Sequence, residues 1–189
     1  MHDRILPLLA SFALALAGCA CNRPCCNPPA EGASAALAPG TLGSTERVHQ
    51  LGGFMLASQP GEEDFREAAE RGVRTVVDQR KSTEQRGFDE ITVVQSLGMT
   101  YVNPSFSKPE ELTDAMFAQT REVMRSAERP ILMHCASGNR TGATWLAYRV
   151  LDDGVEFDEA LAEAKSVGLT SPEYETKARQ YIERQLAAK

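Results

Sequence analysis

The stretch that decides the fold is Ile131-Leu132-Met133-His134-Cys135-Ala136-Ser137-Gly138-Asn139-Arg140-Thr141-Gly142. It opens with a short apolar run, which is typical of a buried strand. Beyond it, Ala143, Leu146, Ala147 and Val150 recur at the spacing of one helix face. The residues from Cys135 to Arg140 are therefore predicted to form a turn that leads from a buried strand into a helix.

This strand-to-helix turn has the properties of an anion-binding site. Open α/β sheets bind ligands at the edge where strands end and helices begin. Backbone N–H groups of such a turn point inward, and the helix N-terminus adds partial positive charge. Gly138 suits the positive φ or close backbone approach that the bend requires. We therefore predict that the following residues bind the substrate: Ala136, Ser137, Gly138, Asn139 and Thr141.

Cys135 is the predicted nucleophile of this site. A helix N-terminus and a nearby arginine lower the pKa of a thiol from its free value of about 8.5, and the thiolate is the nucleophilic form. Arg140 would bind two oxygens of a phosphate or an equivalent anion. His134 either tunes the Cys135 pKa and orients the loop or simply closes the strand. Thr141 either donates its hydroxyl to the thiolate or, as we favour, acts as an ordinary helix cap.

Helices and strands alternate on both sides of the turn. A hairpin is predicted at residues 47–57, because two apolar runs flank Gly52-Gly53. Helices are predicted at residues 61–71, 88–97 and 110–128, strands at 73–77, 99–102 and 130–133, and helical stripes at 157–164 and 174–182. The pattern predicts an α/β fold with a parallel-rich central sheet flanked by helices.

Composition limits the class of protein. The chain has 189 residues, of which 42% are hydrophobic and 24% charged, as is ordinary for a soluble protein with one domain. The formal net charge of −6 argues against nucleic acid as a partner, because such affinity comes from neutralising phosphates. An acidic chain that binds an anion must do so through a local site.

The first 18 residues are predicted to be a targeting segment. Arg4 precedes an apolar run that is too short to span a bilayer, which needs about 20 residues. The run ends in Leu16-Ala17-Gly18-Cys19, which resembles a bacterial lipoprotein signal; a plain secretory signal is the alternative. The resemblance implies export, lipidation at Cys19 and a membrane anchor facing the periplasm. Some lipoproteins carry an acidic residue after the lipidated cysteine, and this residue is linked to retention in the inner membrane. Ala20 is not acidic, which favours the outer membrane.

Residues 19–45 are predicted to be a flexible tether, because they are rich in Ala, Pro and Gly and lack hydrophobic periodicity. The catalytic domain is then predicted at residues 46–189. Cys135 has no second cysteine in that domain to pair with, which excludes a disulfide framework. Cys21, Cys25 and Cys26 have no histidine nearby, so we expect neither a metal site nor a cofactor.

The motif around Cys135 resembles the cysteine-dependent phosphatases of the tyrosine and dual-specificity type, whose signature is His-Cys, five residues, Arg, then Ser or Thr. Further stretches look most like the phosphatase-like domain of beta-lactamase hydrolase-like proteins: Ser58-Gln59-Pro60, Gly72-Val73-Arg74-Thr75-Val76-Val77-Asp78-Gln79-Arg80, Glu84 and Gly98-Met99-Thr100-Tyr101. The resemblance covers about residues 47–170. It implies a dual-specificity-phosphatase-like fold, a phosphocysteine intermediate at Cys135, and a phosphorylated small molecule or protein as substrate.

Two departures from that signature leave the chemistry open. Four residues, not five, separate Cys135 from Arg140, a spacing similar to that of rhodanese-type sulfurtransferases, which carry a persulfide. The loop at residues 103–109 has no carboxylate where dual-specificity phosphatases hold their general acid. The nearest candidates for the acid are Glu110, Glu111 and Asp114, but for each we favour the role of a helix N-terminal charge stabilised by the helix dipole. A missing acid puts a factor of roughly 10²–10⁴ at stake for an alkoxide leaving group, whereas a leaving thiolate needs no proton.

Three functions therefore remain open. A phosphatase acting through Cys135 is the leading hypothesis, a sulfurtransferase acting through a Cys135 persulfide is the second, and a catalytically weak anion-binding module is the third. Arg80 and Glu84 could reach the site, but we favour the interpretation that this pair holds a loop.

Overall fold

One mixed sheet of six strands organises the computed structural model, which describes residues 36–188. The strands are β1 (Ala38–Pro39), β2 (Val48–Leu51), β3 (Phe54–Ala57), β4 (Thr75–Asp78), β5 (Thr100–Val102) and β6 (Ile131–His134), in the order β1-β2-β3-β6-β4-β5. Strands β3, β6, β4 and β5 run parallel, while β1 and β2 are antiparallel additions at one side. The parallel-rich α/β fold is confirmed.

Six α-helices connect and cover the strands. They are α1 (Glu62–Glu70), α2 (Glu90–Ser96), α3 (Asp114–Ser126), α4 (Asn139–Leu151), α5 (Phe157–Val167) and α6 (Pro172–Ala187). The single helix predicted at residues 110–128 is divided in two: a short 3-10 turn (Pro109–Glu111) precedes α3. The division falls at Thr113, whose hydroxyl accepts the Met116 N–H at 3.3 Å and caps α3.

The helices lie on two faces of the sheet, as the alternation of side chains along each strand requires. Met55, Val76 and Leu132 point to one face and pack with residues of α1 and α2, among them Phe65 and Val94. The next residues along the same strands point to the other face and pack with α3, α4 and α5: Phe54, Leu56, Val77, Ile131 and Met133. Both faces of β6 are therefore buried.

Helix α4 is enclosed by protein, since every residue from Arg140 to Arg149 is buried. Trp145 is fully buried and packs, as expected, with its ring N–H donating to Glu163 at 2.9 Å. Within residues 36–188, none of the helices combines the length and the apolar character that spanning a bilayer requires.

The predicted boundary between tether and domain at residue 46 is wrong. Strand β1 pairs with β2, Leu42 has no exposed surface, and Ser44 and Thr45 bind the Asp64 carboxylate at the start of α1. Residues 36–45 therefore belong to the folded domain. A two-residue edge strand of Ala and Pro carries no periodicity, so the pattern missed it. Cys19 and residues 1–35 lie outside the described residues.

Candidate active site

The predicted turn lies at the centre of the sheet edge, between the end of β6 and the start of α4. Cys135 is 1% exposed, and the Gly138 N–H points at its sulfur, with N and Sγ 3.1 Å apart. Gly138 adopts φ 89° and is the N-cap of α4. A residue with a side chain is strained in that conformation, so glycine is what lets the chain turn directly from Cys135 into the helix.

The carbonyl groups of the loop face away from the cysteine. The Ala136 carbonyl accepts the Gln59 N–H at 3.2 Å, and the Ser137 carbonyl accepts the Arg47 guanidinium. With these carbonyl groups held outward, the loop N–H groups turn inward, as an anion-binding site requires. We call the turn from Cys135 to Arg140 the cradle.

The same geometry acts on the Cys135 thiol. Burial raises its pKa, but hydrogen bonds from Thr141 and from the Ser137 N–H, together with the Arg140 charge, outweigh burial and hold the pKa below its ordinary value. The geometry therefore favours a thiolate.

The structure corrects the interpretation of Thr141 as an ordinary cap. The N-cap is Gly138, and Thr141 lies one turn into α4 with no exposed surface. Its buried hydroxyl lies close enough to the Cys135 sulfur to lower the Cys135 pKa. Thr141 thus acts on the thiolate, which was the alternative left open by the sequence.

Asn139 also has a different role from the predicted one. Its side-chain oxygen accepts the N–H groups of Thr170 and Ser171, at 3.0 and 3.2 Å, in the connection between α5 and α6. This leaves only the Asn139 backbone to face an anion. The side chain instead fixes the neighbouring helices to the cradle.

Arg140 is held in one orientation by acceptors on its outer side. Nη1 donates to Glu84 at 2.6 Å, to the Phe106 carbonyl at 2.8 Å and to the Gln79 carbonyl at 3.2 Å, while Nη2 donates to Glu84 at 2.8 Å. A guanidinium has five N–H bonds. Within residues 36–188 the Nε–H and one Nη2–H have no oxygen acceptor, and Arg140 also forms a hydrogen bond to the Cys135 sulfur. The Nε–H and this Nη2–H lie side by side in the fork that binds two oxygens of an anion.

Glu84 is a site residue that the sequence interpretation placed only in a loop. It does hold that loop, through Arg80 at 3.2 Å and the Lys81 N–H at 2.8 Å, and it also binds Arg140. The Arg140 hydrogen bond is the main reason that the Glu84 pKa falls to about 2. The signal for this role was the position of Glu84 shortly after β4, a strand that ends at the same sheet edge as β6.

His134 is fully buried beside Cys135 and faces two carboxylates. Its Nε2 lies 3.1 Å from Glu90, and its Nδ1 lies 4.0 Å from Asp78. Burial lowers the His134 pKa, but the Glu90 hydrogen bond and the charges of Glu90 and Asp78 outweigh it and raise the pKa. The Glu90 and Asp78 carboxylates thus act on the imidazole next to Cys135, which corresponds to the tuning role of the two proposed from sequence.

Asp78, Glu90 and His134 are the one group of potential metal ligands found among residues 36–188, with ligand atoms within 4.8 Å of one another. Arg86 already pairs with both carboxylates, bonding Asp78 and lying 3.3 Å from Glu90. The Arg86 guanidinium compensates the charge that would attract a cation. We therefore interpret the cluster as a buried ion-pair network.

The predicted general acids do not meet the cradle in any contact between the described residues. Asp114 pairs with Arg184 of α6 at 2.6 Å, and this hydrogen bond lowers the Asp114 pKa. Glu111 accepts the Ser107 N–H at 2.7 Å and pairs with Lys81 at 3.1 Å, which lowers the Glu111 pKa. Glu110 is exposed on the 3-10 turn. Both carboxylates are therefore engaged in contacts away from Cys135 and Arg140.

The fold and the cradle together define a domain of the cysteine-dependent phosphatase superfamily. Residues 50–151 match the family of phosphatase-like domains of beta-lactamase hydrolase-like proteins, and the chain belongs to this family. A comparison with curated proteins finds no match to the sequence.

Solved structures share the fold. TpbA of P. aeruginosa superposes with a TM-score of 0.63 at 22% identity, covering 80% of this chain and 91% of that chain. Human DUSP28 gives a TM-score of 0.58 at 18% identity, covering 80% and 99%. Tk-PTP in its active form gives 0.58 at 20% identity, covering 71% and 94%. TpbA has also been solved in complex with pTyr.

Proposed function

We propose that the protein is a cysteine-dependent phosphatase that acts on phosphoric monoesters through a phosphocysteine at Cys135. The observation that carries the proposal is the contact between a favoured Cys135 thiolate and Arg140, whose Nε–H and one Nη2–H have no oxygen acceptor within residues 36–188. Inward N–H groups of the loop supply further donors for the phosphoryl oxygens. A phosphorylated small molecule or protein is the substrate class, in keeping with the pTyr complex of TpbA.

The reaction follows from these positions. The Cys135 sulfur attacks phosphorus, a P–S bond forms, and the P–O bond to the leaving group breaks. Arg140 and the loop N–H groups stabilise the charge on the transferring group. Water then attacks phosphorus, the P–S bond breaks, and phosphate and the thiolate are released. Because the nearby carboxylates are engaged elsewhere, the leaving oxygen takes its proton from water, so aryl phosphates should react much faster than alkyl phosphates.

A sulfurtransferase is the second candidate, supported by the spacing of four residues between Cys135 and Arg140. A shorter loop has one N–H fewer and suits a single terminal sulfur. The Cys135 thiolate would attack the outer sulfur of thiosulfate, and the S–S bond would break with sulfite as leaving group. The resulting persulfide would pass its outer sulfur to a thiophilic acceptor such as cyanide. Neither step needs a general acid.

One paired assay separates the two reactions. The protein is given p-nitrophenyl phosphate or phosphotyrosine in one reaction and thiosulfate with cyanide in the other, and Cys135→Ser serves as the matched control. Phosphate release that disappears in Cys135→Ser, without thiocyanate, is the expected result. Thiocyanate formation with a gain of one sulfur atom on Cys135 and no phosphate release would replace the phosphatase by the sulfurtransferase. Silence in both reactions leaves the anion-binding module.

We also propose that the protein is exported and anchored by lipid at Cys19, supported by Leu16-Ala17-Gly18-Cys19. Two or more acyl chains anchor a protein stably, whereas one chain binds marginally. Intact mass of the protein purified from membranes should show a chain that begins at a diacylated or triacylated Cys19. An unlipidated mature chain contradicts the proposal. Cys19→Ala is the matched variant and should remain unprocessed and lose the acyl mass.

A further inference from the structure

Gln59 joins two charged networks, one that includes Arg140 and one that includes His134. It lies half-buried between β3 and α1, and its backbone N–H donates to the Ala136 carbonyl of the loop at 3.2 Å. Its side-chain oxygen accepts from Arg80 at 2.5 Å, and its side-chain nitrogen donates to Glu90 at 2.8 Å. One residue therefore contacts the loop and both networks.

The first network leads from Gln59 to the arginine of the cradle. Arg80 binds Glu84 at 3.2 Å, and Glu84 holds Arg140 through both carboxylate oxygens. The Arg80 and Arg140 side chains are each 9% exposed, so water has little access to these bonds. A shift of Arg80 would be transmitted to the orientation of Arg140.

The second network leads from Gln59 to the histidine behind the cysteine. Glu90 uses one oxygen for Gln59 and the other for His134, at 3.1 Å, and its side chain is 1% exposed. Arg86 and Asp78 complete this network. Removing the Gln59 amide would leave a buried oxygen of Glu90 with one partner fewer, which buried charged groups tolerate poorly.

An amide suits the place between the two networks. The side chain must accept a hydrogen bond from Arg80 and donate one to Glu90. A carboxylate cannot donate, and an ammonium or guanidinium cannot accept. Glutamine satisfies both without adding charge.

We propose that Gln59 is a positioning residue that connects Arg140 to His134 and holds the Ala136 carbonyl outward, so that both side chains keep fixed positions near Cys135. The proposal rests on the cysteine-dependent chemistry proposed above. Gln59 acts through its neighbours.

The first test is Gln59→Leu, which keeps the backbone N–H but removes both side-chain hydrogen bonds. Alkylation of Cys135 is followed against pH by mass spectrometry of the peptide that contains it. We expect the midpoint to move to higher pH and kcat/KM for p-nitrophenyl phosphate to fall about ten- to hundredfold, the loss expected for hydrogen bonds to charged groups. The control is Gln95→Leu, an exposed position on α2, which should change neither quantity.

The second test exchanges the Gln59 amide and the Glu90 carboxylate. Gln59→Glu alone places two carboxylates together, so it should lose activity at neutral pH and regain it as the pH falls and the pair takes up a proton. The pair is faced by Arg80 and Glu84 from the loop after β4, by Arg86, Asp78 and Tyr101, and by His134 of β6. The double variant Gln59→Glu with Glu90→Gln restores one donor and one acceptor but removes the Glu90 charge beside His134, so it should recover part of the loss.

The outcomes separate this proposal from the proposed function. If neither phosphate nor sulfur is transferred, the alkylation profile still decides the role of Gln59. If the alkylation midpoint of Gln59→Leu equals that of wild type, the positioning role is overturned, even if the protein has become less stable to unfolding. If Gln59→Leu does not fold, the exchange decides: a double variant no better than Gln59→Glu overturns the proposal, and its recovery supports it.

Discussion

Glu84 determines which hydrogen bonds Arg140 has left to offer a substrate. It binds the outer edge of the guanidinium through two oxygens, at 2.6 and 2.8 Å, and the Gln79 and Phe106 carbonyls complete that edge. A negative charge so near the cradle weakens the attraction for an anion, yet it also fixes the fork that binds one. The gain from a fixed guanidinium should outweigh the weaker attraction, because a bidentate contact with an anion depends on a fixed guanidinium plane.

Glu84→Gln is therefore expected to lower kcat/KM about ten- to hundredfold, since one charge-assisted hydrogen bond to Arg140 is lost and the other is weakened. The measurement is steady-state kinetics with p-nitrophenyl phosphate, together with the affinity for inorganic phosphate as a product. The control is Glu159→Gln, an exposed carboxylate on α5, which should leave both quantities unchanged. Activity of Glu84→Gln equal to wild type would show that Arg140 is oriented without Glu84.

Glu84 should also make the fold sensitive to acid. Its pKa falls from 4.5 to about 2 on folding, mainly because of Arg140, so its contribution to stability is present above pH 4.5 and is lost as the pH falls towards 2. In denaturant titrations between pH 5 and 3, wild type should lose more stability than Glu84→Gln. Parallel losses in the two proteins would contradict this assignment.

At the scale of residues, the sequence predicts contacts between residues that are close along the chain and misses contacts between residues that are far apart along it. Cys135, Arg140 and Gly138 follow one another in a single turn, so spacing alone places them together. The partners of Arg140, Asn139 and Ser137 come from elsewhere in the chain: Glu84, Thr170 and Arg47. No periodic pattern pairs these residues, so their roles required the structure.

At the scale of elements, the end of α5 packs directly against the cradle. A Cβ added to Gly138 would lie 2.1 Å from the Val167 carbonyl oxygen, and one added to Gly142 would lie 2.6 Å from that of Ala164. These contacts join α4 to α5 without any side chain between them. The loop is thereby supported on one side by β3 and its following segment, and on the other by α5.

Gly138→Ala should consequently cost about 2–5 kcal/mol, because a left-handed alanine costs roughly 1–2 kcal/mol and overpacking a further 1–3 kcal/mol. Gly154→Ala is the matched control, since Gly154 has φ 70° and open space around its Cβ position. Gly154→Ala should lower the free energy of unfolding only by the roughly 1–2 kcal/mol of a left-handed alanine. Urea titration measures both. Equal losses in the two variants would mean that α5 does not press on the cradle.

Most elements could be predicted because their patterns are strong. The β3–β6–β4–β5 sheet follows from short apolar runs that alternate with helical stripes, and the hairpin from two glycines with φ 55° and 82° between apolar runs. The exceptions are β1, which has two residues, and the break before α3, where the helical stripe continues across a cap. A pattern of apolar residues does not reveal where backbone hydrogen bonds change partner.

At the scale of the whole molecule, the residues before β2 complete the fold at the side of the sheet away from β5. Leu42 has no exposed surface and belongs to the core of the face covered by α1 and α2. Asp64 accepts hydrogen bonds from the Ser44 N–H at 2.9 Å and the Thr45 hydroxyl at 2.8 Å. Strand β1 covers the outer edge of β2, which would otherwise offer unpaired backbone groups to another chain.

A protein that begins at Glu46 should therefore be less stable than one that begins at Ala36 by about 3–8 kcal/mol. Loss of a buried leucine accounts for about 2–5 kcal/mol of this, and the two hydrogen bonds to Asp64 for about 0.5–1.5 kcal/mol each. Urea midpoints of the two proteins measure the difference.

Leu42→Ala in the longer protein separates the contributions, because it removes the core contact and keeps Ser44, Thr45 and β1. It should reproduce most of the loss in stability but not the tendency of an uncovered β2 to self-associate, which light scattering detects. Equal midpoints for the proteins that begin at Ala36 and Glu46 would place the boundary of the domain at residue 46 after all.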